Sequence, residues 1–131
     1  MKRRRVIAVV VWVLYICAVL VLLLGKFSSS PDIPKEMLGI PMDKIVHFLI
    51  FLPSVILTYL TFYYRDMASK KVASMLVIAF FSAIAVAAAS EIAQAFLPWR
   101  QGEPMDFVAD LSGVVLSVLI ALLVHRKTSS R

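Results

Sequence analysis

VASMLVIAFFSAIAVAAASEIAQAFL, residues 72–97, is an apolar run of 26 residues with two polar side chains, Glu91 and Gln94, near its end. At about 1.5 Å of rise per residue it outreaches a hydrocarbon core of about 30 Å, so it must tilt or project beyond the core at that end. Its middle, SAIAVAAAS, is dense in small residues. In lipid, where no hydrophobic drive brings helices together, small side chains let backbones approach and pack. Three further apolar runs, residues 6–24, 45–64 and 107–124, are also near spanning length. The expected fold is an all-α membrane protein, four transmembrane helices packed as a bundle in a single domain over residues 1–131.

Composition agrees: of 131 residues, 61% are hydrophobic and 17% charged, and the mean hydropathy is +0.89. Too little sequence remains outside the spans for a second, water-exposed core. A net charge of +6 raises the question of nucleic acid, but ten of the fourteen Lys and Arg lie in MKRRR, RDMASKK and HRKTSSR, directly beside the spans. They are topology signals rather than a nucleic-acid surface. The positive-inside rule puts both termini and the RDMASKK loop in the cytoplasm and the other two loops outside. The first run is expected to be a retained span, because it is long for a secretory signal and SSS gives no A-x-A cleavage site. Cys17 is alone, so it forms no intrachain disulfide or thiolate metal cluster, and LYIC lacks the small residues of a lipid-modified cysteine.

Between the first two spans, GKFSSSPDIPKEMLGIP (residues 25–41) reads as an extended or turning loop, with Asp32 a candidate cap of a short turn. In the second span Pro53 predicts a kink unless neighbours satisfy the freed carbonyl. At 3.6 residues per turn Asp43, His47, Ile50, Ser54, Thr58 and Thr61 share a face, the hydroxyls bonding back to their own helix. In the fourth span Asp106, Asp110, Gly113, Ser117 and Ala121 share another face, the small residues packing inward and carrying the two acids with them. Tyr59, Phe62, Tyr63 and Tyr64 approach one interface and Trp99 the other, while Trp12 lies mid-span, away from either.

Seven polar residues stand out: Asp43, His47, Glu91, Gln94, Arg100, Asp106 and Asp110. Ionisable groups in or beside a bilayer are costly unless paired or facing water. With this topology all seven lie at the outer end of the second, third and fourth spans, within about 10 Å of the interface in depth. Two readings are open: a paired network that holds the bundle together, or a small outward-facing cavity that binds a polar headgroup or moves protons. In the second, His47 and Glu91 are the acid/base pair, Arg100 the anion contact, and Gln94, Asp43, Asp106 and Asp110 further substrate contacts. No cofactor is expected. His, Glu and Asp are metal-ligand types, but no H-E-x-x-H or similar spacing supports a metal.

The strings D-K-x-x-H-F (Asp43, Lys44, His47, Phe48), E-x-x-Q (Glu91, Gln94), P-x-R (Pro98, Arg100) and D-x-x-A-D-x-x-G (Asp106, Ala109, Asp110, Gly113) succeed one another in that order. In this order they resemble the VanZ-like family of small bacterial multi-pass membrane proteins. The departures are Trp99, Asp110 and Ser117, where the family often has glycine, asparagine and glycine. The resemblance implies a bacterial cytoplasmic membrane location and a cell-envelope context, the founding member being associated with resistance to the glycopeptide teicoplanin. Expected partners are the lipid bilayer and a lipid-linked or headgroup ligand at the outer leaflet, with an oligomer compatible with so short a chain. The alternative is a structural or accessory membrane protein whose polar cluster is helix-packing glue.

Overall fold

The structure is a computed structural model that describes residues 2–25, 35–100 and 102–130. Five helices carry it: α1 (Lys2–Leu24), α2 (Met42–Phe51), α3 (Ser54–Phe62), α4 (Ser69–Ala95) and α5 (Pro104–Ser129). Helices α2 and α3 continue one another, so four helical segments are long and apolar enough to cross a membrane: Arg3–Leu24, Met42–Phe62, Ser69–Ala95 and Pro104–Ser129. Asp32 lies outside the described residues. Directly before α2 the chain forms a hairpin of two-residue strands, β1 (Glu36–Met37) and β2 (Ile40–Pro41), in the register Glu36↔Pro41 and Met37↔Ile40. Leu38 and Gly39 both take positive φ, 54° and 76°, which matches the right-handed twist of a tight hairpin.

Pro53 breaks the second span instead of merely bending it. Without an amide on residue 53 the ladder stops, α2 closing on Leu52 N–H to Phe48 O at 3.0 Å and α3 opening on Leu57 N–H to Pro53 O at 2.8 Å. Neighbouring helices satisfy groups that the break frees. Tyr15 Oη of α1 donates to Ile50 O at 2.8 Å, and Ser117 Oγ of α5 accepts the amides of Val55 and Ile56, each at 3.0 Å. In an apolar surrounding each such group left unmet costs about 1–3 kcal/mol. The break also divides the polar stripe read on this span: His47 is turned to α5, and Thr58 to α1, where it accepts the Trp12 indole N–H at 3.0 Å. That bond explains a tryptophan in mid-helix. Thr58 and Thr61 bond back to the carbonyls of Ser54 and Leu57 as expected, whereas Ser54 Oγ is buried with no partner.

Helix α5 is the hub, packed against α2, α3 and α4, while α1 leans on α3 and α4. Its inward face is Asp106, Asp110, Gly113, Val114, Ser117 and Ala121, all buried. Gly113 permits the closest approach: a Cβ there would sit 2.5 Å from Phe48 O and 3.2 Å from Leu52 N. Across from it α4 buries Ala83, Ala87 and Ser90, the small residues of its middle. The outward faces stay apolar, with Val6, Leu14 and Val21 on α1, Ile78, Phe81 and Ile92 on α4, and Leu119 and Leu123 on α5 all exposed. Helix α5 begins at Pro104, which suits a first helical turn, and runs beyond the apolar stretch through Arg126 and Lys127, whose charges favour a helix C-terminus. Helix α4 stops at Ala95, and Phe96 and Leu97 form tighter turns onto Ala93 and Gln94.

Candidate functional site

All seven polar residues lie at one end of the helices, where α2 and α5 begin and α4 ends. They divide there into two groups. His47, Glu91, Asp106 and Asp110 converge, from three different helices. His47 is 4% exposed, one turn into α2, and its Nδ1 lies 2.9 Å from Asp110 Oδ1. On the same ring Nδ1 is 3.8 Å from Glu91 Oε1, and Nε2 is 3.9 Å from Asp106 Oδ2. Asp110 accepts a hydrogen bond in the tautomer that places the proton on Nδ1, which leaves the Nε2 lone pair turned toward Asp106.

Lys44 closes the rim. Its ammonium lies 2.8 Å from Asp106 Oδ1, 2.8 Å from Glu103 Oε2 and 3.2 Å from Asp43 Oδ2. Asp43 is therefore an exposed rim residue, whereas Asp106 is buried and bridges the lysine to the histidine. The loop before α5 folds back over α4, so a Cβ on Gly102 would sit 3.0 Å from the Glu91 carbonyl. Lys44 was not among the seven polar residues singled out from the sequence. The signal was its place three residues before His47, on the same helical face.

The cluster is incompletely satisfied. Both Glu91 carboxylate oxygens and Asp110 Oδ2 are buried with no hydrogen-bond partner. Buried carboxylate oxygens without donors are rare because the lost hydration is not returned.

Gln94 and Arg100 form the second group and face away from the first. Gln94 Nε2 donates to Leu23 O at 2.7 Å, Arg100 Nη2 to Leu22 O at 2.8 Å, and Trp99 Nε1 to Leu24 O at 3.3 Å. These are the last carbonyls of α1, which no amide of its own helix can reach. Three donors, one of them cationic, thus cap the C-terminus of α1 and anchor it to the end of α4. The arginine expected to hold an anion donates here through Nη2.

No family model matches the chain, and no solved structure matches it. An uncharacterized protein of the fission yeast Schizosaccharomyces pombe is 28% identical over 127 residues, which covers 95% of this chain and 67% of that protein. These findings overturn the VanZ-like resemblance and leave the expectations of teicoplanin resistance and of a bacterial envelope without support. Four short polar strings at the ends of apolar helices are weak family evidence, because acids near helix N-termini and small residues on packing faces arise from the physics of any such bundle. The converged residues do not depend on that resemblance.

Proposed function

We propose that the chain is a multi-pass integral membrane protein with cytoplasmic termini, and that its His–carboxylate cluster binds the polar head of a membrane lipid or lipid-linked molecule at the opposite face. Four apolar helical segments, outward faces of exposed Val, Leu, Ile and Phe, and basic residues beside the first, second-to-third and last segments support the topology. The observation that carries the site is Glu91. Its two oxygens are buried and accept no hydrogen bond, the nearest positive group being the buried His47 ring at 3.8 Å. A network kept only for packing would satisfy its buried polar atoms, since a carboxylate buried without hydrogen bonds destabilises the fold. In this site Asp110 orients His47, while His47, Glu91 and Asp106 line the floor that the polar head would meet, and Asp43 and Lys44 form the mouth.

The second reading is helix-packing glue, favoured by Lys44, whose single ammonium ties α2 to Asp106 and Glu103. Glu91→Gln separates the two, because Glu91 has no hydrogen bond to lose. A site predicts an unfolding midpoint in detergent that is unchanged or raised, together with loss of phospholipid adducts retained by the wild-type protein in native mass spectrometry. A midpoint several degrees lower, with the adducts intact, selects glue.

A further inference from the structure

We propose that one divalent cation of the zinc and manganese class binds between His47, Glu91 and Asp106, with Asp110 as the residue that positions the histidine. This rests on the reading of the cluster as a site rather than as packing glue. One ligand atom from each of the three residues lies within 4.8 Å of the other two. Donors sharing one ion at about 2.0–2.2 Å sit about 3–3.5 Å apart, so side-chain adjustments of about 1 Å close the set. His47 Nε2 and Asp106 Oδ2, at 3.9 Å, are nearly there, and Glu91 Oε1, 3.8 Å from Nδ1, has to swing along the ring toward Nε2 to join them.

The surroundings complete the pattern that metal-binding histidines need. A ligating imidazole gives its other N–H to a carboxylate, which fixes tautomer and ring orientation. Asp110 Oδ1 stands 2.9 Å from Nδ1 in that role, on a fully buried side chain. The Glu91 oxygens and Asp110 Oδ2 are the buried atoms of the cluster that accept no hydrogen bond.

Charge balance points the same way. Glu91, Asp106 and Asp110 face one lysine and one histidine, so even a protonated imidazole leaves the group one positive charge short. Lys44 is further shared with Asp43 and Glu103, and Arg100 is turned to α1. Among the described residues no other ion pair reaches the cluster. A divalent ion removes the deficit, and it supplies the positive charge by which a phosphate-bearing headgroup would be held among carboxylates. One imidazole nitrogen with carboxylate oxygens suits zinc or manganese better than a thiolate-seeking ion. Since α2, α4 and α5 contribute one ligand each, no spacing motif announces the set.

The test uses the full chain in detergent, stripped with a chelator and then titrated with Zn²⁺ by calorimetry and with Mn²⁺ by electron paramagnetic resonance. One equivalent of either ion is expected, with nitrogen coupling to the bound Mn²⁺ that disappears in His47→Gln. Glu91→Gln and Asp106→Asn should weaken binding more than tenfold, and Asp110→Ala about 10–100-fold. His125→Ala should leave it unchanged. Glu91→Gln is the deciding variant if others fold poorly. Failure to bind a stoichiometric ion, or equal binding by wild type and Glu91→Gln, overturns the metal. Phospholipid adducts that are lost in Glu91→Gln while no ion binds would retain the headgroup reading and overturn this one. An ion that binds without any such adduct would support the metal and overturn the headgroup.

Discussion

The chain has two histidines, and they sit at opposite ends of the helices in opposite chemistry. His47 is enclosed by Asp110, Glu91 and Asp106, with buried carboxylate oxygens left unmatched around it. His125, near the end of α5, lies 3.1 Å from the Tyr59 hydroxyl through Nδ1 and 3.5 Å from Ser129 Oγ through Nε2, with the Tyr59 and Tyr63 rings edge-on at 5.8 and 5.6 Å. Both of its ring nitrogens face neutral hydroxyls. His47 is thus buried among carboxylates, and His125 half-buried among aromatic rings and hydroxyls. What marks the first end is the buried carboxylate oxygens left without hydrogen bonds.

Substitutions should expose that difference, beginning with the most damaging. Asp110→Ala removes the one hydrogen bond of a buried His47 and is expected to cost about 3–5 kcal/mol, read as a lowered unfolding midpoint. Gly113→Ala pushes a methyl against the Phe48 carbonyl and forces α2 off α5 at the level of His47, at a cost of about 1–3 kcal/mol. A midpoint unmoved by Gly113→Ala would show that this interface yields freely. Ser117→Ala leaves the Val55 and Ile56 amides without an acceptor and should cost about 1–3 kcal/mol, with faster amide exchange confined to the start of α3. His125→Phe keeps the aromatic contacts and should change the midpoint by less than about 1 kcal/mol, the size of one neutral hydrogen bond. If His125→Phe proved as harmful as Asp110→Ala, the contrast between the two ends would vanish.

Much of the outline was legible in the chain. Apolar run length identified four segments, and helical periodicity placed Asp106, Asp110, Gly113, Ser117 and Ala121 on one inward face, because 3.6 residues per turn is a local property. Span ends were less legible. The fourth apolar run stops at 124, yet α5 continues through basic residues to Ser129, since helix propagation needs no apolar side chains. A kink at Pro53 was signalled, but the full break and the contacts of Tyr15 and Ser117 across it were not, both partners being distant in sequence.

Within the candidate site, depth was readable and direction was not. Charge asymmetry brought seven polar residues to one end, and their order along the chain suggested a family that the comparisons do not support. Side chains at equal depth on neighbouring helices point where helix rotation aims them, and rotation is set by packing over the whole interface. Arg100 and Gln94 were therefore aimed at the carbonyls of α1, and Lys44 at three carboxylates.

By itself the sequence determined the apolar segments, their helical faces and the end at which the charges collect, all consequences of composition and local geometry. Only the tertiary structure decided which charges meet. It paired His47 with Asp110, turned Arg100 to α1 and left Glu91 without a hydrogen bond, because pairing depends on close approach between segments 63 and 78 residues apart in the chain, and Gly113 is what permits α2 and α5 to come that close.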